Sequence, residues 1–374
     1  MKVCGKRIFL NGEKYWSSPS PYPLTPTCLL PCTLYTNPMP QLPITDETLR
    51  QAADVLLRGG LVAFPTETVY GLGGDAFNPS ALAKIFETKK RPRFDPLIIH
   101  IAAMDTLEII GDLSVLNTAE RKILDKVTGE FWPGPLTVIL PKQKAVPGLA
   151  TGGLQTVAVR YPAHDAAQRL IELSSGAIAA PSANPFGYLS PTTARHVADA
   201  LGENVDIILD GGSTHIGLES TVLDICQGQP RVLRPGGTSK ESIEAIIGEV
   251  SSGSVDKVLS PGMLPSHYAP KIPLTVFDRR TLSSIPGDKT KAILFFDGDS
   301  RDTWLAGRLP DNNAFPLAVL SNTGDLREAA AKLFETLHDM EKFDVRQIYA
   351  QFAPEHGLGI AINDRLRRAS SVKP

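Results

Sequence analysis

Short apolar runs with two different periods recur along most of the chain and predict its helices and strands. From Leu49 to Leu57, apolar residues recur at the spacing of a helix, which Thr45 would cap and Gly59-Gly60 would end. Continuous apolar runs, LVAFP at 61–65 and LIIHI at 97–101, predict buried strands on either side of a second helix. The first hundred residues therefore already indicate an α/β protein.

Later segments up to residue 250 combine several successive strands with irregularly placed helices. Strands that follow one another without a helix favour a mixed, twisted sheet over a strictly alternating parallel one. After residue 272 the alternation is more regular, which predicts a smaller doubly wound, Rossmann-like α/β domain. The predicted strands lie within 131–142, 156–162, 176–181, 205–212, 220–225, 231–237, 273–278, 291–298, 315–320 and 347–352, and the further predicted helices within 81–90, 116–128, 164–173, 326–339 and 364–369.

Composition divides the chain into four parts. Residues 1–42 are proline-rich without helical or strand periodicity, and we expect them to form a disordered extension. A first α/β domain then occupies residues 43–250, and the second occupies 273–374. Between them, residues 251–272 have the sequence SSGSVDKVLSPGMLPSHYAPKI, which is a linker by composition and which we expect to act as a lid over the site.

Charge and cysteine content exclude several classes of protein. The 374 residues are 42% hydrophobic with a formal net charge of -2, so no overall positive charge attracts nucleic acid. No apolar run approaches the ~20 residues needed to span a bilayer. Cys4, Cys28 and Cys32 fall in the proline-rich extension and would supply only three of the four ligands of a zinc site. No disulfide framework is expected, and a cytoplasmic location fits.

The usual nucleotide and hydrolase motifs are missing from the sequence. It contains no G-x-x-x-x-G-K-[ST] phosphate loop, no G-x-S-x-G elbow and no H-E-x-x-H pair. The glycine-rich stretch Gly71-Leu72-Gly73-Gly74 lacks the dinucleotide pattern, and a tight turn is its simplest interpretation. The chemistry must therefore come from cations and small polar groups at strand ends.

Two polar clusters follow predicted elements closely. Lys89, Arg91 and Arg93 form either a solvated helix end or a polyphosphate site. The stretch PSANP at 181–185 ends an apolar strand and forms either a turn before a helix or a second part of the same site. Arginines that close strands, and hydroxyl residues that are also common strand formers, could join them, namely Arg160, Arg234, Thr66, Thr68, Thr156, Ser220 and Thr221.

Together these motifs resemble the threonylcarbamoyl-AMP synthases, whose core is the YrdC-like fold. The matching stretches are GGLVAFPTETVYGLG, KKRPRFDPLIIHI, FWPGPLTVIL, TVAVRYP, APSANPFG, ESTVLDI and RVLRPGG. The resemblance covers residues 44–247 and continues through SPGMLPSHYAP and GLGIAINDRLRRAS, which look like the linker and C-terminal domain of the long members. It implies a YrdC-like twisted mixed sheet with helices and an open, concave, basic site.

The resemblance also implies a reaction. L-threonine, bicarbonate and ATP would give L-threonylcarbamoyl-AMP and pyrophosphate, with Mg²⁺ bound together with ATP rather than by protein ligands. A separate transferase complex would then pass the threonylcarbamoyl group to an adenosine beside the anticodon of tRNAs reading ANN codons. Weak binding of tRNA itself is a further expectation, and membrane association is not expected.

The family's K-x-R and S-x-N signature assigns roles to particular residues. The implied catalytic residues are Lys89, Arg91, Ser182 and Asn184; the implied threonine-binding residues are Thr68, His100, Thr156, Arg160, Ala180 and Ser220; the implied ATP-binding residues are Arg91, Asp95, Ser182, Ser190, Arg234 and Tyr268. Two positions depart from the family pattern. Lys90 stands where a glycine is usual, and Asp95 stands where an asparagine is usual, which puts a carboxylate near the expected nucleotide.

Three other interpretations remain open. The basic mouth could hold double-stranded RNA or tRNA without catalysis, although the net charge and the lack of an aromatic platform argue against it. The fold could instead use carbamoyl phosphate, as hydrogenase maturation proteins do, but their acylphosphatase and zinc-finger-like regions are not apparent here. The C-terminal domain could also be a purely structural or oligomerisation unit.

Overall fold

A computed structural model describes residues 41–253, 267–306 and 316–371. Most of the predicted extension, the three cysteines within it and residues 254–266 of the predicted linker lie outside these ranges. Gln41 and Leu42, which we assigned to the extension, belong instead to the first strand, because they pair with a strand of the first domain. No helix in the described ranges is long and apolar enough to cross a membrane.

The first domain is built on a single twisted mixed sheet. Within the described ranges it contains eleven strands and seven α-helices. The strands are β1 (Gln41–Pro43), β2 (Val62–Phe64), β3 (Gly71–Asp75), β4 (Ile98–Ile101), β5 (Leu136–Pro141), β6 (Thr156–Arg160), β7 (Ala177–Ala179), β8 (Ile207–Asp210), β9 (Thr221–Asp224), β10 (Arg231–Arg234) and β11 (Ser251–Ser252). The helices are α1 (Asp46–Leu57), α2 (Pro79–Lys89), α3 (Asp105–Ile110), α4 (Thr118–Phe131), α5 (Asp165–Leu173), α6 (Ala194–Leu201) and α7 (Lys240–Ile247).

The strand order is β1-β8-β2-β3-β7-β4-β6-β5-β9-β10-β11, with parallel and antiparallel neighbours. This confirms the predicted mixed α/β fold. The register aligns polar residues in a row across the sheet: His100 pairs with Arg160, Arg160 with Thr137, Thr137 with Val222, and Val222 with Arg234. Directly paired residues lie close on the same face of a sheet. The register therefore gathers two arginines, a histidine and a threonine at one place.

The glycine-rich stretch after β2 is a strand rather than the tight turn that its composition suggested. Residues Gly71 to Asp75 form β3, antiparallel to both β2 and β7. A Cβ on Gly73 would lie 2.8 Å from both the Phe64 ring and Ile178 Cγ2. These distances show that the glycine is needed because aromatic and aliphatic side chains of neighbouring strands pack directly on its backbone.

The helix that carries the basic cluster starts at Pro79, two residues before the predicted range of 81–90. Asn78 caps α2 through its side-chain oxygen, and Pro79 occupies the first turn. The helix ends at Lys89 and is capped by Lys90, whose φ of 53° lies in the left-handed region. Glycine adopts this conformation without a Cβ clash, which explains in physical terms why a glycine is usual here in the family that the sequence resembles.

The second domain is a parallel α/β unit, as predicted. Its described strands are β12 (Leu274–Phe277), β13 (Lys291–Asp297), β14 (Leu317–Ser321) and β15 (Gln347–Gln351), in the order β12-β15-β13-β14. Its described helices are α8 (Gly298–Ala306), α9 (Leu326–Met340) and α10 (Leu358–Ser370). Helix α10 starts six residues before the predicted position, because its N-cap is Gly357, which has no side chain to form a capping hydrogen bond and so leaves no capping pattern in the sequence.

The two domains share a hydrophobic core. Val69, Leu189 and Leu218 of the first domain are buried in the same cluster as Leu333 and Phe334 of α9. Two histidine rings also stack across this boundary, His196 on α6 and His338 on α9, with centroids 4.0 Å apart. The second domain is therefore packed against the segments that lead into the polar row of the sheet.

Candidate active site

A cavity lies at the polar row of the sheet and is lined by residues from many separate segments. Strand ends of the first domain supply most of its wall, and the described end of the linker supplies the rest. The lining residues are Thr66, Thr68, Val69, Gly71, Arg91, Ile98, His100, Arg160, Ala180, Pro181, Ser182, Glu219, Ser220, Arg234, His267 and Tyr268. Three arginines and one glutamate thus line the cavity together with mostly small side chains, and the excess of cations suits an anionic ligand.

Arg160 is held in place from two sides at the end of β6. Its Nη2 lies 2.7 Å from Glu67 Oε1, and its Nε donates to the carbonyl of Gly134 at 3.2 Å. Burial and the charge of Arg160 lower the pKa of neighbouring His100 to about 3, so this imidazole is neutral at pH 7. The site therefore presents one fixed planar cation beside a neutral ring.

Arg234 and Ser220 form the opposite side of the cavity. The guanidinium donates from Nη2 to the backbone carbonyl of Ser220 at 2.7 Å and to its hydroxyl at 3.1 Å. The same hydroxyl lies 2.7 Å from Thr137 Oγ1. Burial lowers the pKa of Arg234, but an arginine remains charged at any pH a protein tolerates. Thr137, which the sequence did not single out, is the hydroxyl residue that lies beside Arg160 on the neighbouring strand.

Lys89 supports the PSANP turn from beneath. Its ammonium is buried and donates to the carbonyl of Ser182 at 2.5 Å and to the carbonyl of Asn184. The Asn184 amide donates to the carbonyls of Pro185 and Tyr188 at 3.0 and 2.9 Å. Burial and the charge of Arg91 place the pKa of Lys89 well below its ordinary value. Lys89 and Asn184 therefore shape the turn that presents Ser182 to the cavity.

Arg91 lines the cavity with its partner directly behind it. Its Nη2 lies 2.9 Å from Asp95 Oδ2, and the guanidinium also donates to the carbonyls of Asp95 and Pro96 at 3.1 and 2.8 Å. Burial raises the pKa of Asp95, although the charge of Arg91 opposes this. Asp95 thus fixes Arg91 and does not itself line the cavity. Arg93, the third cation of the cluster, is exposed.

The described end of the linker reaches the same cavity. His267 and Tyr268 line it, and Tyr268 is buried with a φ of 61°. Burial and the nearby charges of Arg91 and Lys89 hold the pKa of His267 well below its ordinary value, so its ring adds no charge. A left-handed backbone is uncommon for a bulky aromatic residue and indicates that the surrounding packing fixes this conformation.

Glu219 is a cavity residue that the sequence did not indicate, because a lone glutamate before a strand carries no recognisable pattern. It accepts a hydrogen bond from Ser190 Oγ and lies 2.8 Å from Arg365 Nε of α10. Burial alone would raise its pKa, but the charges of Arg365 and Arg234 lower it. Arg365 in turn brings the second domain into contact with the site.

The structure brings together most of the residues that the resemblance implied. Thr68, Arg91, His100, Arg160, Ala180, Ser182, Ser220, Arg234 and Tyr268 line the cavity. Lys89, Asp95, Asn184 and Ser190 lie immediately behind it, bonded to lining residues or their turn. Thr156 is not brought to this place, because it begins β6 and lies four residues, or about 13 Å of strand, before Arg160.

The fold and the cavity define a two-domain α/β protein with a basic cavity at the edge of its larger sheet. A family model described as telomere recombination, for Sua5, YciO and YrdC proteins, matches residues 54–236. A second model, described as the C-terminal domain of threonylcarbamoyl-AMP synthase, matches residues 238–371.

Several relatives are similar over nearly their whole length. A threonylcarbamoyl-AMP synthase of Pyrococcus abyssi is 43% identical over 342 residues, which cover 88% of this chain and 96% of the relative. One of Bacillus subtilis is 40% identical over 339 residues, with 88% and 95% covered. The crystal structure of P. abyssi Sua5 complexed with L-threonine is 40% identical with a TM-score of 0.77, covering 89% of this chain and 97% of that one. The chain therefore belongs to the threonylcarbamoyl-AMP synthase family.

Membership of this family confirms two expectations from the sequence, namely the resemblance itself and an enzymatic function. The relatives carry the name of an enzyme activity, and this does not favour the alternative of an RNA-binding module without catalysis.

Proposed function

We propose that this chain makes L-threonylcarbamoyl-AMP from L-threonine, bicarbonate or carbon dioxide, and ATP, with release of pyrophosphate. The observation that carries the proposal is the convergence of Arg91, Arg160 and Arg234 on one cavity that is also lined by several hydroxyl side chains. Fixed cations suit a carboxylate and a triphosphate, and small hydroxyls suit a small polar side chain. Such a site works by orientation and charge neutralisation, without a covalent protein intermediate.

The threonine half of the site centres on Arg160. Its planar guanidinium would take the threonine carboxylate through paired hydrogen bonds, while Glu67 and the Gly134 carbonyl keep it oriented. Thr68 and Ser220 would meet the substrate's hydroxyl, and Ala180 leaves room for its methyl group. Neutral His100 closes this half without competing with Arg160 for the carboxylate.

The nucleotide half centres on Arg91, Arg234 and Ser182. The two guanidiniums would neutralise charge on the phosphates, and the Ser182 hydroxyl would orient the α-phosphate. Lys89 and Asn184 act indirectly, by holding the turn that carries Ser182. Asp95 fixes Arg91, and Ser190 fixes Glu219, so both support nucleotide binding without touching the nucleotide. Tyr268 would cover the nucleotide from the linker side.

The reaction in this site has two bond-forming steps. The threonine nitrogen forms a bond to the carbon of carbon dioxide and loses a proton, which gives a carbamate. A carbamate oxygen then forms a bond to the α-phosphorus of ATP, while the bond from that phosphorus to the bridging oxygen breaks and pyrophosphate leaves. Arg160 would hold the threonine carbamate so that its oxygen lies in line with the phosphates, which Arg91 and Arg234 would hold.

Mg²⁺ fits this site as a companion of ATP. In the described part of the chain, no group of three or more His, Cys, Asp or Glu side chains is arranged to hold a metal ion. Glu67, Asp95 and Glu219 each face an arginine instead. Mg²⁺ commonly binds through substrate phosphates and water, where it would neutralise part of their charge.

The reactivity of the product implies that a further enzyme uses it. A mixed carbamic–phosphoric anhydride is an activated group that hydrolyses in water, so a transferase complex should take it up and deliver it to adenosine in tRNAs reading ANN codons. This step would take place in the cytoplasm, together with tRNA. Direct tRNA contact with this chain would then be weak.

A labelled-bicarbonate assay tests the proposal. The full chain is incubated with ATP, Mg²⁺ and labelled bicarbonate, with and without L-threonine, and nucleotide products are separated. We expect a labelled adenylate and an equal amount of pyrophosphate only when L-threonine is present. Labelled product that forms equally without threonine, or no labelled adenylate in either case, would overturn the proposal. Salt-sensitive tRNA binding without ATP turnover would favour the RNA-binding alternative.

A further inference from the structure

One side chain of the second domain reaches the wall of the cavity. Arg365 on α10 is buried and forms ion pairs with Glu219 at 2.8 Å and with Asp364 at 2.7 Å. Its guanidinium also lies over the Tyr268 ring, 4.9 Å from the centroid. Glu219 and Tyr268 are both cavity residues. A single arginine of the second domain is thus in contact with two separate parts of the site.

Tyr268 needs such support because its backbone is strained. A φ of 61° is unfavourable for a residue with a bulky side chain, and it persists only when surrounding contacts fix it. Phe334 of α9 packs against one side of the ring, with centroids 5.7 Å apart, and Arg365 lies over the face. Both contacts come from the second domain. The Tyr268 ring is therefore held by contacts from that domain.

We propose that Arg365 is a positioning residue of the nucleotide half of the site. Its cation holds the Tyr268 ring in place, and its ion pair holds Glu219 and, through it, Ser190. The second domain thereby completes the site instead of serving as an independent structural or oligomerisation unit. The inference rests on the proposed function for its substrate, ATP, but its first readout is binding and does not require turnover.

The test must separate positioning from loss of fold. Replacing Arg365 alone would leave Glu219 as a buried charge without its closest partner, which destabilises a protein strongly. The E219Q variant removes that charge while Arg365 keeps its pair with Asp364 and its place over Tyr268. The informative comparison is therefore between E219Q and E219Q/R365M, which differ only at position 365.

A matched control lies on the same helix. Arg367 also has a carboxylate partner, Glu355, and also lies over an aromatic ring, Phe352, at 5.0 Å from the centroid. It is half exposed and does not line the cavity. R367M therefore removes the same kinds of contact from α10 without touching Tyr268 or Glu219.

The measurements are the Kd for ATP by calorimetry, the KM for ATP and for L-threonine, and the melting temperature. Relative to E219Q, we expect E219Q/R365M to bind ATP about tenfold more weakly, with an unchanged KM for threonine and an unchanged melting temperature. E219Q/R365K should recover part of the affinity, because an ammonium can also lie over the ring. R367M should bind ATP as the unmodified chain does.

Equal ATP affinity in E219Q and E219Q/R365M would overturn the inference, as would equal weakening by R367M. Failure of the proposed function is distinguishable from either result. In that case the unmodified chain would bind ATP but form no threonine-dependent adenylate, and the comparison of Kd values would still decide the role of Arg365.

Discussion

Arg91 and Arg93 belong to one basic cluster in the sequence but to different environments in the structure. Arg91 is buried against Asp95 and lines the cavity, whereas Arg93 is exposed. The difference follows from Pro92 and the turn after α2, which separate the two side chains. Residue type and spacing identified the cluster, but only the backbone decides which of its cations faces the ligand.

Arg91→Ala should lose threonine-dependent pyrophosphate release by a factor on the order of 10², or about 3 kcal/mol, because it removes a fixed charge from the phosphate site. Arg93→Ala is the matched control and should retain activity. Because Arg91→Ala also leaves Asp95 buried without its partner, Arg91→Ala/Asp95→Asn should be the more stable of the two Arg91 variants and equally inactive. Near-normal turnover in the double variant would remove Arg91 from the mechanism.

Lys90 offers a second test at the scale of one residue, on stability rather than activity. Its left-handed backbone disfavours any residue with a Cβ, so Lys90→Gly should raise the free energy of unfolding by up to about 1 kcal/mol. Lys122, an exposed residue inside α4, is the control, and Lys122→Gly should lower stability by about 1 kcal/mol. Urea unfolding measures the free energy of unfolding of both variants. If both substitutions change it by the same amount in the same direction, this account of Lys90 is contradicted.

The sequence could predict the cavity-lining residues that belong to recognisable strand ends, such as Arg160, Arg234 and Ser182. It could not predict Glu219, since its role comes from an ion pair with a residue 146 positions later. Thr156 lies outside the cavity lining, at the start of the strand that Arg160 ends, and its assignment to the threonine pocket stays a prediction.

At the scale of elements, β3 shows how packing overrides composition. Four residues with three glycines have low strand propensity, yet they pair with β2 and β7 in the middle of the sheet. The Phe64 ring and Ile178 occupy the space where a Cβ on Gly73 would lie. The turn interpretation was wrong because strand propensity depends on a residue's own side chain, which glycine lacks. This strand is favoured instead by the side chains of neighbouring strands, which pack against its backbone.

Gly73→Ala should therefore destabilise the protein by about 1–3 kcal/mol, the usual cost of overpacking a core. Gly129→Ala is the matched control, since Gly129 is exposed on helix α4 and a Cβ there would meet nothing within 4 Å. It should raise stability by about 0.5–1 kcal/mol. Thermal or urea unfolding of both variants gives the comparison. A Gly73→Ala variant as stable as the unmodified chain would contradict this account of the packing around β3.

At the scale of the whole molecule, the stacked histidines at the domain boundary predict an acid-sensitive interface. Burial lowers the pKa of His196 to about 3, and the charge of nearby His338 adds to the effect. Burial also lowers the pKa of His338. The other charged groups that act on His196 are Lys342, Asp339 and Arg195. Protonating either ring would place a charge in a packed boundary, 4.0 Å from the other ring.

The sign of the pH dependence follows from these pKa values. Between about pH 6.5 and pH 3 the unfolded chain binds a proton at His196 that the folded chain does not bind, so stability is full above this window and falls as the pH drops through it. His196→Phe keeps an aromatic ring at the stack but cannot titrate. We expect its stability to fall less steeply than that of the unmodified chain between pH 7 and pH 5 in urea unfolding. Identical slopes would exclude His196 as a source of acid sensitivity.

The central claim is that one cavity holds both the amino acid and the nucleotide, with Arg160 on one side and Arg91 and Arg234 on the other. The most direct measurement is a crystal structure of the full chain grown with L-threonine and a non-hydrolysable ATP analogue. We predict that the threonine carboxylate binds the Arg160 guanidinium, that the phosphates contact Arg91 and Arg234, and that the amine faces the α-phosphate. Nucleotide bound in a different cavity, out of reach of the threonine amine, would contradict the account.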